Sequence, residues 1–188
     1  ANHPELVAAR QNGARVLRRI ELLGELFGRR RAIGISGDGD TGSIGLGQFK
    51  HMMRRNVRMV YIVENNGVYG LTKGQFSPTS ESGKVTKSSP AGSVDHPFNP
   101  VTLALGAEAS FVARTIDSDR KHLTGVLRAA IEHRGASLVE IYQNCPIFND
   151  GAFQLIKDRD SQAARLVKLV DGQPVTAGLE NARQVLVR

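Results

Sequence analysis

Apolar and polar positions along the chain follow helical and strand periods in alternation. Apolar residues recur at helical spacing between positions 16 and 27, which predicts an amphipathic helix over residues 4–28. A short apolar run at 32–35 then ends in the sequence SGDGD, which indicates a strand followed by a tight glycine turn. A second helical pattern covers 43–55, and the nearly continuous apolar run VRMVYIV at 57–63 predicts a strand buried on both faces.

Strand, helix and strand in this order form a βαβ unit, which requires a parallel sheet. Residues 71–99 are rich in Ser, Thr and Pro and have little periodicity, which is typical of a functional or disordered loop. The later pattern predicts helices at 100–106, 119–133 and 159–166, strands at 110–114, 138–142 and 167–170, and a turn at 171–172. We therefore predict the α/β class, with a parallel sheet and helices on both faces.

Composition excludes several function classes. The 188 residues are 40% apolar and 23% charged, which is ordinary for a globular domain. Aromatic residues make up only 5% of the chain and Trp is absent, so an aromatic platform for single-stranded nucleic acid is not expected. No apolar run approaches the ~20 residues of a membrane span, and no basic-then-apolar leader opens the chain. A single cysteine cannot form an internal disulfide, which favours a cytoplasmic protein.

The net charge of +7 is concentrated in two arginine clusters. One lies between residues 10 and 31, and the second contains Arg54, Arg55 and Arg58. Basic surfaces attract nucleic acids, phosphorylated cofactors or acidic proteins without choosing among them. Because neither cluster has interleaved aromatic residues or a helix-turn-helix context, we expect solvated helix faces rather than a nucleic-acid site.

The loop after the first predicted strand contains glycines in the G-x-G-x-x-G pattern, namely Gly37, Gly39 and Gly42. Glu64 ends the next strand, where a ribose-binding acid would lie in an NAD-type nucleotide-binding module. The same loop, however, carries two carboxylates that would repel a pyrophosphate, those of Asp38 and Asp40. A divalent cation between carboxylate and phosphate removes this repulsion, so the loop indicates a metal–diphosphate site.

Asn66 follows Asp38 by 28 residues and ends the neighbouring strand, so both are expected at the same edge of the sheet. The Asn66 amide oxygen and the Val68 carbonyl are suitable further ligands for Mg²⁺. An Asn-Gly turn and a helix-capping Asp would each explain one half of this pattern, but not both at corresponding strand ends. A calcium loop starting at Asp38 is excluded, because its twelfth position is Phe49 where a bidentate Glu is required.

Further motifs surround these residues. They are GDGD at 37–40, RRN at 54–56, NNGVYGLTKGQ at 65–75, SPT at 77–79 and EIYQNCPIFND at 140–150. With these motifs, residues 33–158 resemble the β subunit of 2-oxoacid:ferredoxin oxidoreductases, most closely the 2-oxoglutarate branch. The spacing from GDG to NN is shared with other thiamine enzymes, whereas the flanking segments are more specific.

The resemblance implies a domain that binds thiamine diphosphate and Mg²⁺ at 32–158, after an atypical helical segment at 1–31 and before a C-terminal extension at 159–188. Mg²⁺ would be held by Asp38, Asn66 and Val68. The cofactor would lie against Gly37, Gly39, Asp40, Gly70, Leu71 and Thr72. The implied reaction is oxidative decarboxylation of a 2-oxoacid to acyl-coenzyme A, with electrons passing through a [4Fe–4S] cluster to ferredoxin.

The resemblance also implies an α subunit, because the carboxylate that activates thiamine comes from its pyrimidine-binding domain. Cys145 matches the fourth cluster ligand, yet the family's N-terminal CxxC and third cysteine have no counterpart in this sequence. One thiolate cannot hold a four-iron cluster. We therefore expect a truncated or internally deleted β subunit that is inactive alone. An NAD-type module and a catalytically inactive fragment remain as alternatives.

Overall fold

The computed structural model describes residues 32–167 and residue 169, together with 176–177 and 184–185. The elements in chain order are β1 (Ala32–Gly37), α1 (Asp38–Gly42), α2 (Leu46–Arg54), β2 (Met59–Asn65), α3 (Pro100–Gly106), β3 (Phe111–Ile116), α4 (Arg120–Glu132), β4 (Ala136–Tyr142), α5 (Gln154–Lys157), α6 (Arg159–Arg165), β5 (Thr176–Ala177) and β6 (Gln184–Val185). The helix predicted at 4–28 and the turn at 171–172 lie outside the described residues.

Strands β1 to β4 form one parallel sheet in the order β1-β2-β4-β3, while β5 and β6 form a separate antiparallel pair. The predicted parallel sheet is therefore confirmed. Gly37 at the end of β1 is in register with Glu64, and Asn65 at the end of β2 is in register with Tyr142 of β4. The carboxyl ends of these three strands are consequently level, and the loops that follow them meet at one edge of the sheet.

Helices cover both faces of the sheet, as predicted. On one face, Phe49 and Met53 of α2 and Ala104 of α3 pack in a core cluster with Val63 and Leu138. On the opposite face, α4 packs on β3 and β4 through a second buried cluster, whose members are Val60, Ile62, Ala130 and Val139. Because neighbouring residues of β4 point to opposite faces and both faces are covered, Leu138 and Val139 are both fully buried.

The second face is covered only in part by the described residues. Helix α4 contacts β3 and β4, whereas Ile33 and Ile35 of β1 remain 56% and 64% exposed. Both isoleucines lie in register with the buried residues Val60 and Ile62 of β2, so the apolar surface continues across the sheet. Within the described sheet, β1 is therefore an edge strand with an apolar face.

The segment after β1 differs from the prediction. Residues 38–42 form the short helix α1 rather than a turn, because the chain enters it from an extended Gly37 and the Ser43 amide bonds back to the Gly39 carbonyl at 3.2 Å. A turn at 43–45 then separates α1 from α2, so the second predicted helix begins at Leu46 and not at Ser43. The predicted strand at 167–170 is wrong at the two positions described there, 167 and 169, which are not in a strand.

The other predicted elements are observed with ends shifted by at most two residues, and the 71–99 loop contains no helix or strand. Arg54, Arg55 and Arg58 are exposed, as expected for a solvated surface. Among the described residues, no helix has the length and apolar character needed to cross a membrane.

Candidate metal and cofactor site

Asp38 is the centre of the candidate site. It directly follows β1 and is only 1% exposed. Its Oδ2 accepts hydrogen bonds from Ser77 Oγ at 2.5 Å and Thr79 Oγ1 at 2.6 Å, and its Oδ1 accepts one from the Asn66 amide at 3.2 Å. Within the part of the chain that the structure describes, no basic side chain forms an ion pair with this carboxylate.

The turn at residues 65–68, here called the metal turn, follows β2 and lies beside Asp38. Asn65 Oδ1 accepts from the Gly67 amide at 3.1 Å, and Asn66 Oδ1 accepts from the Val68 amide at 3.2 Å. Gly67 has a φ of +65°, a left-handed conformation that glycine adopts without strain. The Val68 carbonyl accepts no hydrogen bond from any described residue, so its oxygen is available as a ligand.

The donor set at this edge fits Mg²⁺. It combines a buried carboxylate that has no cationic partner among the described residues, a carboxamide oxygen and an available carbonyl oxygen, all hard oxygen donors. No group of three His, Cys, Asp or Glu side chains occurs among residues 32–167, so a carboxylate- or thiolate-rich metal site is not present there. Asp38 and Asn66 are brought together as predicted, through the bond from the Asn66 amide.

Gly39 is a glycine because an aromatic ring packs directly on its Cα. A Cβ at this position would lie 2.3 Å from Cε1 of Tyr69, far inside van der Waals contact. The Tyr69 hydroxyl donates to the Gly39 carbonyl at 3.1 Å and lies 2.6 Å from Ser43 Oγ. The first helical turn after β1 and the segment after the metal turn are thus in direct contact.

The other predicted cofactor residues are exposed, except for Gly70, which is half-buried. Gly37 and Asp40 are exposed, and Leu71 is 99% exposed at the start of the 71–99 loop. The Gly70 carbonyl accepts from the Lys73 amide at 3.1 Å, and the exposed Thr72 hydroxyl bonds the Gln75 side chain. The contacts of these residues with a cofactor therefore remain predictions.

Residues 143–153, here called the cysteine loop, follow β4 and contact the metal turn through Asn149. Asn149 Nδ2 donates to the Asn66 carbonyl at 2.7 Å, and its Oδ1 accepts from Lys84 Nζ of the 71–99 loop. The Asn149 amide bonds the carbonyl of Cys145 at 2.9 Å. Cys145 is half-buried, and it is the only cysteine in the sequence.

The base of the cysteine loop is held by Asp117, just after β3. Asp117 Oδ2 accepts from the Asn144 amide at 3.0 Å, and Oδ1 pairs with Lys157 Nζ at 2.8 Å. Burial of the Asp117 carboxyl opposes ionisation, but the Lys157 ammonium and the backbone amides outweigh it and lower the pKa. The carboxylate form is therefore the one that anchors the loop.

Sequence reasoning missed several residues of the site. Ser77 and Thr79 lie in the SPT motif at 77–79, but only the fold shows that both hydroxyls bond Asp38. Asn149 lies in the motif at 140–150, and its contacts with Asn66 and Lys84 become visible only in the fold. The sequence does give one indication of their importance, since all three residues lie in the segments that resemble the oxidoreductase β subunits most specifically. Specific residues in loops that follow strand ends are good candidates for contacts with a site.

Fold and site together define a thiamine-type cofactor domain, in which the GDG sequence at 37–39 and the NN sequence at 65–66 meet at the carboxyl edge of a parallel sheet. The chain belongs to the thiamine pyrophosphate enzyme family, since residues 12–141 match its C-terminal TPP-binding domain. This match favours the thiamine interpretation over an NAD-type module. The predicted binding of thiamine diphosphate is supported at the level of the domain.

The predicted resemblance to the oxidoreductase β subunits is confirmed. Subunit KorB of the 2-oxoglutarate oxidoreductase of Mycobacterium tuberculosis is 58% identical over 144 residues, which cover 77% of this chain and 38% of KorB. A 2-oxoacid:ferredoxin oxidoreductase β subunit of Sulfolobus sp. is 41% identical over 152 residues, covering 81% of this chain and 49% of that subunit. The chain thus spans less than half the length of these two relatives.

A solved structure supports the same fold. The 2-oxoglutarate:ferredoxin oxidoreductase of Magnetococcus marinus, solved with 2-oxoglutarate, coenzyme A and succinyl-CoA bound, superposes with a TM-score of 0.63 at 38% sequence identity. The superposition covers 73% of this chain and 45% of that one.

Proposed function

We propose that this chain is the thiamine diphosphate-binding part of the β subunit of a 2-oxoacid:ferredoxin oxidoreductase, with 2-oxoglutarate as the substrate. The substrate assignment rests on the similarity to 2-oxoglutarate enzymes from Mycobacterium tuberculosis and Magnetococcus marinus. The reaction is the oxidative decarboxylation of the 2-oxoacid to its acyl-coenzyme A ester, with electrons passed to ferredoxin.

One observation carries the proposal. The buried Asp38 carboxylate accepts three hydrogen bonds but has no cationic partner among the described residues. An ionised carboxylate is unfavourable in a buried site unless it is paired or coordinates a metal. Asp38 also lies within hydrogen-bond distance of the metal turn. A Mg²⁺ ion bound to Asp38, Asn66 and Val68 explains both the burial and the position of this carboxylate.

The chain's own residues would bind and orient the cofactor. Mg²⁺ would offset the repulsion between Asp38 and the diphosphate, while the hydroxyls of Ser77 and Thr79 keep the Asp38 carboxylate in one orientation. The buried Gly39, the exposed Gly37 and Asp40, and the segment from Gly70 to Thr72 would lie against the diphosphate. Bound thiamine diphosphate would supply the nucleophilic carbon on which decarboxylation of a 2-oxoacid depends.

The proposal includes an α subunit, because no residue at this edge is assigned to the pyrimidine end of the cofactor. It also includes coenzyme A, ferredoxin and a [4Fe–4S] cluster in the complete enzyme. A four-iron cluster takes four thiolates, and Cys145 can supply only one of them. The other three ligands must therefore come from outside this sequence.

Calorimetric titration tests the binding half of the proposal. The full chain should bind thiamine diphosphate in Mg²⁺ and lose this binding in EDTA, because the diphosphate cannot approach Asp38 without the cation. NAD, titrated under the same conditions, should give no heat of binding. Equal affinity in Mg²⁺ and EDTA, or tighter binding of NAD, would contradict the assignment.

The reaction half requires the assembled enzyme. The complex of this polypeptide with the α subunit and the cluster-binding region should reduce ferredoxin when 2-oxoglutarate and coenzyme A are both supplied. Pyruvate, tested at the same concentration, serves as the comparison substrate. Faster reduction with pyruvate would overturn the choice of 2-oxoglutarate but not the thiamine assignment.

A further inference from the structure

Glu140 of β4 is a fully buried carboxylate behind the metal turn, and neither the sequence motifs nor the proposed reaction gives it a role. Its Oε2 pairs with Arg114 Nε of β3 at 2.6 Å, and its Oε1 accepts from Asn65 Nδ2 at 2.7 Å. Both oxygens are therefore used, each by a donor on a different strand. A buried charge persists when it is paired and hydrogen-bonded in this way.

The carboxylate decides the orientation of the Asn65 carboxamide. An ionised carboxylate only accepts hydrogen bonds, so the NH₂ group of Asn65 must face Glu140. The Asn65 oxygen is then turned toward the metal turn, where it accepts from the Gly67 amide at 3.1 Å and from Thr79 Oγ1 at 3.0 Å. Both donors lose this acceptor if the carboxamide turns over.

These two contacts reach both parts of the candidate metal site. Gly67 lies between Asn66 and Val68, so its bond to Asn65 sets the conformation of the backbone that carries these two ligands. Thr79 Oγ1 also bonds Asp38 Oδ2, at 2.6 Å. A hydroxyl has one hydrogen, so Thr79 divides it between Asn65 and Asp38.

We propose that Glu140 is a positioning residue for the metal site, acting through the Asn65 carboxamide on the metal turn and on Asp38. The proposal rests on the proposed function only for the identity of the metal and the cofactor. The orientation of Asn65 itself follows from the hydrogen bonds of the chain.

Replacing Glu140 by Gln makes a specific demand on Asn65. Arg114 can only donate, so the Gln oxygen must face Arg114 and its NH₂ group must face Asn65. Asn65 then has to turn over, which places its own NH₂ group against the Gly67 amide, donor against donor. Adding Asn65→Asp restores complementarity, because both oxygens of an Asp accept, and the net charge returns to that of the wild type.

Calorimetry with thiamine diphosphate and Mg²⁺ on Glu140→Gln, on the double variant Asn65→Asp/Glu140→Gln and on Glu132→Gln tests the proposal. Loss of a residue that orients metal ligands typically weakens metal binding about 10–100-fold, and we expect this loss in Glu140→Gln. The double variant should recover most of it. Glu132 lies exposed at the end of α4, so Glu132→Gln should bind like the wild type.

Nuclear magnetic resonance gives a readout that does not need the cofactor. The Gly67 amide proton should exchange slowly with solvent in the wild type and in the double variant, and faster in Glu140→Gln. Mn²⁺ alone, titrated as a paramagnetic substitute for Mg²⁺, should broaden the Asn66 signals in the same order of variants. If the wild type bound Mn²⁺ but not thiamine diphosphate, the proposed function would fail while the positioning role still held.

Three results would overturn the inference. The first is binding of Glu140→Gln within twofold of the wild type, and the second is a double variant that binds no better than Glu140→Gln. If Glu140→Gln does not fold, the double variant decides, because it keeps every hydrogen bond of the network and only reverses the direction of the one between positions 65 and 140. The third result is failure of the double variant to fold as well, which would show that Glu140 supports the fold rather than the position of the metal turn.

Discussion

Replacing Asp38 by Asn should separate the stability of the domain from its binding of cofactor. In Asp38→Asn, the remaining oxygen can still accept from the Asn66 amide, and the new NH₂ group can donate to the hydroxyl oxygens of Ser77 and Thr79. A net intramolecular hydrogen bond contributes about 0.5–1.5 kcal/mol, so exchanging bonds of this kind should change stability by less than about 1.5 kcal/mol. The variant should therefore fold like the wild type.

Asp38→Ala is the contrasting variant. The Thr79 hydroxyl can turn to Asn65 Oδ1 at 3.0 Å, and Ser77 Oγ can turn to Ser80 Oγ at 3.4 Å, so both retain partners. The Asn66 amide loses its acceptor, and a donor left without a partner costs about 1–3 kcal/mol. For a chain of this size, 1 kcal/mol lowers Tm by about 2–4 °C. Asp38→Ala should accordingly melt several degrees below Asp38→Asn.

The cofactor should separate the melting temperature of the wild type from that of Asp38→Asn. At a ligand concentration about 100 times Kd, binding stabilises the wild type by about 2.7 kcal/mol. This corresponds to a rise in Tm of roughly 5–11 °C. Asp38→Asn should show no rise, because it lacks the charge that holds Mg²⁺. The chain has no Trp, so circular dichroism or scanning calorimetry is the suitable measurement.

The reasoning would be refuted by an equal rise of Tm in Asp38→Asn and in the wild type. It would also be refuted if EDTA left the rise in the wild type unchanged. In either case the diphosphate would be bound without a cation at Asp38, and the burial of this carboxylate would need another cause.

Two further predictions concern Gly39 and Asp117. Gly39→Ala should weaken the binding of thiamine diphosphate measured by calorimetry, because the new Cβ would lie 2.3 Å from the Tyr69 ring and displace it. Gly47→Ala in α2 is the control and should bind normally, because the space around Gly47 is open. Equal affinity of the two variants would exclude this effect. Asp117 has a lowered pKa, so its stabilising effect is complete above the unfolded pKa of 3.8 and disappears as pH falls through the lower folded pKa. Asp117→Asn should remove this part of the acid dependence of Tm. If Tm of the variant and of the wild type depended on pH in the same way, the ion pair between Asp117 and Lys157 would not contribute to stability.

The sheet could be predicted from the sequence because its strands are apolar runs separated by clear helical periods. Strand β4 is an example, since the apolar residues Leu138 and Val139 point to opposite faces and are both buried. Helix α1 could not be predicted in this way. Its five residues, DGDTG, contain two glycines and no apolar period, and it forms because it follows the extended Gly37 and bonds back through Ser43.

The proximity of Asp38 and Asn66 could also be predicted, because they follow neighbouring parallel strands and must lie at the same edge. The residues that orient them could not. Glu140 lies in an apolar strand, 75 residues from its partner Asn65, and only the strand order places them side by side. A pattern along the chain carries no information on such a contact, because the pairing depends on which strands become neighbours.

The most specific segments of the sequence are those that contact the metal turn and Asp38. The 71–99 loop supplies Ser77 and Thr79 to the Asp38 carboxylate, and the cysteine loop supplies Asn149 to the Asn66 carbonyl. Lys84 joins these two loops through Asn149. A substitution in either loop would therefore change the orientation of a proposed metal ligand without touching the metal. The site is better described as three loops that hold one another at the sheet edge than as two motifs with a fixed spacing.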